Sequence, residues 1–253
     1  MTTLPAPSYV ERPILFSGAM VRAILAGTKT QTRRVLTTKH TLPTESGYQF
    51  VYGADGYCGL TRQDAFRFSA FPLGRMRYGV PGDRLWVRET WCPVPGGGGD
   101  CWLYRADMTA EQVREEATCK RLMKAGANHW RPSIHMPRRA SRILLEITDV
   151  RVQRLQEITG EDARAEGVQY PVSVHDCPAG KCKPLFRLDL MERAVSWGIF
   201  STPKRRAERE PTHDDMSRLY FSALWDEING KRPGCSWEAN PWVWTVSFKR
   251  LQP

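Results

Sequence analysis

The sequence predicts an α+β protein in which short strands, mixed with few helices, form a strongly curved sheet or a small barrel. Segments with the composition or alternation of strands occur at 28–36, 84–91, 143–152 and 242–251. Helical spacing of apolar residues is confined to a few segments between them. A chain of 253 residues can bury a sizeable core without disulfide or metal support, so one decorated domain is expected.

The charge balance indicates a negatively charged partner. The chain has 37 Lys and Arg residues against 27 Asp and Glu, a formal net charge of +10. Such a charge creates a field that attracts polyanions. RNA or DNA is therefore the expected partner, although a basic surface in contact with solvent alone explains the same charge.

Other bulk properties are typical of a soluble cytoplasmic protein. The composition is 41% hydrophobic and 25% charged, and no apolar run approaches the length of a membrane span, so no membrane association is expected. Residues 1–11 lack the basic and apolar regions of a secretory signal. The 7 cysteines are scattered and odd in number, which favours free thiols.

A short helix followed by a strand is predicted near the N-terminus. Ser17 is suited to cap the start of the helix, and Gly27 to adopt the left-handed conformation that ends it. Residues 28–36 then alternate and are rich in Thr and Val, which predicts a strand. The apolar residues that share one face of the helix are Met20, Val21, Ile24 and Leu25.

The next predicted element is a strand at 84–91, introduced by the turn sequence Val-Pro-Gly-Asp at 80–83. Residues 37–77, before it, show no sustained periodicity and are expected to be irregular. One face of the strand carries Leu85, Val87, Glu89 and Trp91, and the other carries Trp86, Arg88 and Thr90.

The middle of the chain contains a loop, a helix and a basic segment. Gly96–Gly99 is a flexible loop that lacks the Gly-Lys-Ser/Thr ending of a phosphate loop, which excludes a nucleoside-triphosphate site there. Residues 108–124 are predicted to be helical. Residues 130–142 are basic and broken by prolines.

The C-terminal part is predicted to contain two helices and the last strand. Thr159 caps a short helix that Gly167 ends. A second long segment without a pattern follows at 169–213, and a helical stripe occupies 214–228. The strand at 242–251 places four side chains on one face: Trp242, Trp244, Val246 and Phe248.

Four blocks of the chain follow one another in a recognisable order. They are ILAGTKTQTRR (24–34), PGDRLWVRETW (81–91), SRILLEITDVRVQRLQEITGEDARAEGV (141–168), and LWDEING with NPWVWTVSFKRL (224–230 and 240–251). Together they resemble the ASCH family, small barrel proteins related to the PUA fold, and in particular its long bacteriophage and prophage forms. The matched regions, about 100 residues in all, are the size of one compact small domain. They span 12–35, 78–91, 141–168 and 216–251.

The resemblance implies a single domain over 1–253, a small PUA-like β-barrel with short flanking helices and large loop insertions at 37–77, 92–140 and 169–215. It also implies that the partner is RNA, DNA or a modified nucleoside. One compact branch of the family is similar to amidohydrolases that remove the acetyl group from N4-acetylcytidine, and another has been described as ribonuclease-like. No cofactor and no metal are expected.

Carried over residue by residue, the amidohydrolase resemblance implies that Lys29, Thr32 and Glu166 are catalytic. Thr32 would supply the nucleophilic hydroxyl, and Lys29, with a pKa lowered by burial near Arg33 or Arg34, would remove its proton. Glu166 would orient this base or protonate the leaving group. The two arginines would give electrostatic support. The alternative is an exposed turn lysine, an ordinary strand threonine and a solvated carboxylate at a helix end.

Other side chains are candidates for binding. Glu89 is expected to face inward, either in the pocket or paired with a buried arginine. Trp86 and Trp91 are candidates to stack on a base, with a place in the core as the alternative. In the basic segment, the arginines expected to contact phosphates, unless they only line a solvated loop, are Arg131, Arg138 and Arg139, with Arg142 nearby.

Three hypotheses for function follow. The first is a hydrolase of N4-acylated cytidine-like bases, the second a noncatalytic reader of RNA or DNA, and the third a metal-dependent ribonuclease. For the third, His175, Cys177 and Cys182 offer three ligands, but their spacing lacks a paired Cys-x-x-Cys and a fourth ligand, which does not favour zinc.

Overall fold

The computed structural model describes residues 9–37, 48–53, 57–64, 67–93, 102–108, 130–168 and 212–251. They form an α+β fold that is rich in short strands and has few helices. The strands are β1 (Glu11–Leu15), β2 (Gln31–Val35), β3 (Gln49–Tyr52), β4 (Tyr57–Asp64), β5 (Arg67–Arg75), β6 (Arg84–Arg88), β7 (Trp91–Pro93), β8 (Trp102–Tyr104), β9 (Leu144–Arg154) and β10 (Trp242–Leu251). The α-helices are α1 (Gly18–Leu25), α2 (Gly160–Ala165) and α3 (His213–Asn229).

Five strands form the main sheet, in the order β1–β6–β9–β10–β2. β1 and β6 are parallel, and the other neighbouring pairs are antiparallel. Within the described ranges the sheet is open, with β1 and β2 at its edges, and does not close into a barrel. Arg34 in β2 nevertheless donates a hydrogen bond to the carbonyl of Leu15 at the end of β1. The sheet is therefore curved enough for one arginine to reach from one edge to the other.

The predicted helix and strand near the N-terminus are present. The Ser17 hydroxyl accepts a hydrogen bond from the Met20 N–H at the start of α1, and Gly27 has a φ of 76° just after its end. The strand is shorter than predicted, because β2 starts only at Gln31. The residues before it pair instead with the end of α2, through an isolated bridge between Lys29 and Glu166.

The later elements agree with their predicted positions. Thr159 caps α2, and Gly167 follows that helix with a φ of 82°. α3 is one residue longer at each end than the predicted 214–228, and its start is fixed by a capping box between Thr212 and Asp215. β10 spans the predicted residues, and its four predicted inward side chains all belong to the main core.

Two parts of the prediction are wrong. Part of the region 37–77, expected to be irregular, forms the antiparallel sheet β3–β4–β5, in which glycines, Pro72 and a bulge after Cys58 interrupt the alternation. β1 was not predicted, because Pro13 interrupts its pattern. Proline is tolerated there since β1 lies at the edge of the main sheet.

The predicted strand 84–91 is also divided. β6 ends at Arg88 and β7 begins at Trp91, so Glu89 and Thr90 lie between them. The Glu89 N–H donates to the sulfur of Met136, and the Thr90 carbonyl accepts from the Arg105 N–H. The basic segment 130–142 therefore packs against this break, with short 3-10 turns at Ser133–His135 and Arg138–Ala140.

Two apolar clusters cover the two faces of the main sheet. The larger contains side chains from β1, α1, β6, β9 and β10, with Val21, Leu85 and Leu145 among its fully buried members. The smaller packs α2 and α3 against the other side of β10, through Phe221, Trp225 and Val243 among others. Burial of both faces stabilises the sheet and fixes α2 and α3 beside β2.

Some predicted elements lie outside the described residues. They are the Gly96–Gly99 loop, most of the helix at 108–124 and almost all of the segment 169–213. Among the helices that are described, none combines the length and apolar character needed to cross a membrane.

Candidate functional site

The turn between α1 and β2 places Lys29 against α2. The backbone N–H groups of Thr28 and Lys29 both donate to the carbonyl of Ala23, so the chain folds back on α1 before it becomes extended. The Thr30 N–H then donates to the carbonyl of Ala165, 2.8 Å away. Because Lys29 precedes the strand, the alternation of β2 does not force its side chain away from Thr32.

Lys29 is buried and its ammonium group has three acceptors. Only 2% of the residue is exposed. Nζ donates to the Gln31 carbonyl at 2.8 Å, the Glu166 carbonyl at 2.8 Å and Glu166 Oε2 at 2.7 Å. An ammonium group has three hydrogens, so these three bonds use all of them. Nζ does not hydrogen-bond to the Thr32 hydroxyl in this arrangement.

The pKa of Lys29 is lower than its ordinary value. Burial disfavours the charged form most strongly, and the nearby charges of Arg34 and Arg33 act in the same direction. The carboxylate of Glu166 opposes them, but it does not fully compensate. A buried lysine whose proton is more easily lost is better suited to act as a base than an exposed one.

Glu166 lies between two cations. It is the C-terminal cap of α2, where the helix macrodipole disfavours a carboxylate. The Lys29 ammonium group on Oε2 and the Arg33 guanidinium 3.4 Å from Oε1 supply the opposite charge. Only 6% of Glu166 is exposed, so its carboxylate is largely shielded from water and contacts these two buried cations instead.

Arg33 joins this pair to a second carboxylate. Its guanidinium lies 2.8 Å from Asp162 Oδ2 and donates to Gln31 Oε1 at 2.6 Å. Burial alone would raise the pKa of Asp162, but the charges of Arg33 and Arg151 and hydrogen bonds from Gln31 and Arg33 lower it overall. The described part of the site is thus a buried network in which two cations, Lys29 and Arg33, alternate with two carboxylates, Glu166 and Asp162.

Thr32 and Glu166 line the same cavity. This cavity, of about 230 Å³, lies between β2 and α3. Thr32 is 2% exposed, and its hydroxyl makes no hydrogen bond to any described residue. The other residues around it are mostly basic or apolar: Met20, Arg33, Arg34, Val35, Thr37, Arg77, Tyr78, Phe221, Leu224, Trp225, Ile228, Asn229 and Arg232.

A second, larger cavity adjoins the first. Its volume is about 730 Å³, and it lies between α1 and α3 with a mostly apolar lining that includes Phe16 and Ala23. The two cavities share five lining residues, namely Met20, Arg34, Glu166, Leu224 and Ile228. We refer to the two together as the cleft. Ile228 is half exposed, so the cleft opens to solvent beside α3.

Arg34 lies at the junction of the two cavities. Besides its bond to the Leu15 carbonyl, its guanidinium lies over the Phe16 ring, 5.3 Å from the ring centroid. The pKa of Arg34 is lowered, mainly by burial. Its Nε is buried without a hydrogen-bond partner in the described part of the chain. The Lys29 ammonium group lies over the same ring, with Nζ 5.7 Å from the ring centroid.

Glu89 is buried but does not line the cleft. It pairs with Arg142, whose Nε lies 2.9 Å from Oε1, and Arg142 in turn binds Asp107. Burial raises the pKa of Glu89, although Arg142 opposes the shift. Of the two roles expected for Glu89, the structure shows the pairing with an arginine, which fastens the basic segment to the end of β6.

Trp86 and Trp91 are both buried, so the expectation that they stack on a base does not fit their positions. Trp86 is 8% exposed and lies under Arg88, whose guanidinium is 4.5 Å from a ring centroid of Trp86. Trp91 is 3% exposed and packs edge-on against Trp102, with Arg131 on its face. Neither tryptophan lines the cleft, and segment 130–142 packs on Trp91 through Arg131, Met136 and Ala140.

The arginines of the basic segment are exposed but do not form one patch of free charge. Arg138 pairs with Glu11, with Nε 2.7 Å from Oε2. Arg131 and Arg139 lie over the rings of Trp91 and Trp102. None of the three lines the cleft, so any contact that they make with a phosphate would be a separate site.

Residues missed by the sequence reasoning complete the cleft. Asp162 and Gln31 complete the charge network, while Arg77, Tyr78 and Arg232 line the smaller cavity. Asp162 was visible only as an acidic residue in the first turn of a helix. Arg77 and Arg232 belong to no sequence motif or periodic segment, so only the folded structure shows that they line a cavity.

No group of three or more His, Cys, Asp or Glu side chains that could hold a metal occurs among the residues described. His175, Cys177 and Cys182 lie outside those ranges, so the metal-dependent ribonuclease stays a prediction. Comparison with known proteins finds no family model that matches the chain, and no curated protein or solved structure that is significantly similar to it.

Proposed function

We propose that this chain is a long-form ASCH protein with a PUA-like core that hydrolyses the N4-acyl amide of a cytidine-like base. The observation that carries the proposal is the meeting of three residues from two distant parts of the chain. Lys29 is in direct contact with Glu166, and Glu166 lines one cavity together with Thr32. These are the three residues that the family resemblance implies.

The location of the four resembling blocks supports the family assignment. The regions 12–35, 78–91, 141–168 and 216–251 contribute β1 with β2, β6, β9 and β10, the five strands of the main sheet. The regions between them contribute the separate sheet β3–β4–β5 and the pair β7–β8. A shared core decorated by insertions is the organisation that the resemblance implies.

The chemistry begins with a proton shift inside the Lys29–Glu166 pair. All three hydrogens of the ammonium group are engaged, so Lys29 can act as a base only after one proton passes to Glu166 Oε2, 2.7 Å away. The result is a neutral amine and a carboxylic acid. The lowered pKa of Lys29 makes this transfer easier than it would be in water.

Hydrolysis then proceeds in two steps. The Thr32 oxygen attacks the acyl carbon and gives its proton to Lys29, and the carbon–nitrogen bond breaks as the N4 nitrogen receives that proton. The resulting threonine ester reacts with water to release the carboxylic acid and restore the hydroxyl. Arg33, a cation that lines the same cavity as Thr32, stabilises the negative charge on the acyl oxygen.

Turnover of N4-acetylcytidine by the purified chain tests the proposal, with cytidine and acetate as the expected products. Thr32→Ala should abolish the reaction, whereas Thr32→Ser should retain part of it because the hydroxyl is kept. Thr30→Ala is the matched control, since Thr30 is exposed and does not line the cleft. Equal activity of Thr32→Ala and the wild type, or no turnover of any N4-acyl cytosine, would overturn the proposal.

A second candidate function is a noncatalytic reader of RNA or DNA. The saturated hydrogen bonding of Lys29 favours it, because a lysine whose three hydrogens are all used also serves well as a structural cation. Fluorescence anisotropy with labelled oligonucleotides at low salt measures this binding. Tight binding without any deacylation would favour the reader, and the absence of binding at low salt would exclude it.

A further inference from the structure

Four arginines line the smaller cavity, and three of them differ from Arg33, which pairs with Asp162 and Glu166. Arg34, Arg77 and Arg232 have no ion pair with a carboxylate within the described ranges. Buried or half-buried arginines such as Arg33 and Arg142 each contact two carboxylates. The described residues therefore leave the positive charge of these three arginines without a paired carboxylate.

The carboxylate of the cavity cannot balance this charge. Glu166 is already bound by Lys29 and Arg33, so its negative charge is shared between two buried cations. Arg34 keeps one buried Nε without a partner in the described part of the chain. A buried guanidinium with an unused donor is unfavourable on its own and is stabilised by an anion.

The shape of the cleft matches a ligand with one charged end. The smaller cavity, where the three arginines lie, is about 230 Å³, and the larger cavity of about 730 Å³ is mostly apolar. Thr32 and Glu166 line the smaller cavity, and Glu166 also reaches the larger one. A phosphate beside the arginines would therefore lie in the same cavity as the proposed reactive residues, with the larger apolar cavity next to it.

We propose that the cleft binds a phosphorylated nucleoside, either a free nucleotide or the 5′-phosphorylated end of a strand, and that Arg34, Arg77 and Arg232 contact its phosphate. Guanidinium groups suit this ligand because their donors match phosphate oxygens in pairs. The nucleoside part of the inference rests on the proposed function. The phosphate part rests on the charges of the cavity alone.

Isothermal titration calorimetry of the full chain with cytidine and with cytidine 5′-monophosphate tests the inference. The nucleotide should bind at least about tenfold more tightly, since one charge-assisted hydrogen bond accounts for about that factor. Inorganic phosphate should compete with the nucleotide. A 5′-phosphorylated oligonucleotide, compared with the same strand bearing a 5′-hydroxyl, shows whether strand ends are also bound.

Two variants separate local contacts from the general basic field. Arg232→Gln and Arg77→Gln, both exposed at the rim, should each reduce nucleotide affinity without reducing cytidine affinity. Lys231→Gln is the matched control. Lys231 is the neighbour of Arg232, carries the same charge and is exposed, but its side chain does not line the cleft. Equal affinity for nucleotide and nucleoside, or an equal loss in Lys231→Gln, would overturn the inference.

The two proposals fail in different ways. If the nucleotide binds tightly but neither N4-acetylcytidine nor its 5′-monophosphate is deacylated, the phosphate site stands and the hydrolase does not. If both compounds are deacylated with the same kcat/KM and bind equally well, the hydrolase stands and the phosphate site does not. A lower KM for the 5′-monophosphate at similar kcat is the result that both proposals predict.

Discussion

Removal of the Glu166 charge should destabilise the whole domain. Glu166→Gln keeps the size of the side chain but leaves the buried Lys29 and Arg33 with less negative charge between them. Breaking a buried ion pair by removal of one partner costs about 3–5 kcal/mol. The cost should lie in the lower half of that range, because Asp162 still pairs with Arg33 and the Glu166 carbonyl still accepts from Lys29.

Urea unfolding at neutral pH measures this loss. The midpoint should fall while the slope of the transition stays constant, because the surface exposed on unfolding is unchanged. Glu161→Gln is the matched control: Glu161 is an exposed carboxylate in the first turn of α2, and its loss should cost less than about 1 kcal/mol. A Glu166→Gln midpoint equal to that of the control would refute the idea that this buried pair is important for stability.

Three further predictions follow from pKa shifts and packing. The rate of deacylation should rise with pH, with a midpoint below the ordinary lysine pKa of 10.5, because loss of the Lys29 proton to solvent removes the need for its transfer to Glu166 before the attack; a rate independent of pH would contradict this. Hydrogen bonds to Asp83 lower its pKa below 3.8 despite burial, so its stabilisation is present above that pH and is lost as pH falls through the folded pKa. Urea titrations should show a weaker acid dependence in Asp83→Asn, and an unchanged one would exclude the effect. Gly160→Ala should lower the Tm, since the new Cβ would lie 2.4 Å from Asp214, and Asp214→Gly should restore it.

The elements around the site were predictable because their signals are local. The Ser17 cap, the glycine at 27 and the alternation after it are each visible within a few residues, and they define α1, the turn and β2. The same applies to Thr159 and Gly167 around α2. The prediction of the main sheet was less complete. β1 pairs with β6, some 70 residues later, and contains a proline that interrupts its strand pattern.

The composition of the site was only partly predictable. The contact between Lys29 and Glu166 joins residues 137 positions apart, and only the family resemblance pointed to it. Trp86 and Trp91 were predicted as candidates for stacking because a strand pattern does not reveal that Arg88 lies over Trp86 or that segment 130–142 packs on Trp91. Arg77 and Arg232 were missed for the opposite reason, since they lie in turns whose local sequence gives no sign of a cavity.

The chemical step itself provides the most direct test of the proposed function. Rapid quenching of the chain with N4-acetylcytidine, followed by peptide mass spectrometry, locates any acyl group that has been transferred to the protein. The mechanism predicts an acetyl ester on the peptide that contains Thr32, formed before acetate is released and absent from Thr32→Ala. Release of cytidine while Thr32 remains unmodified at every time point would contradict it.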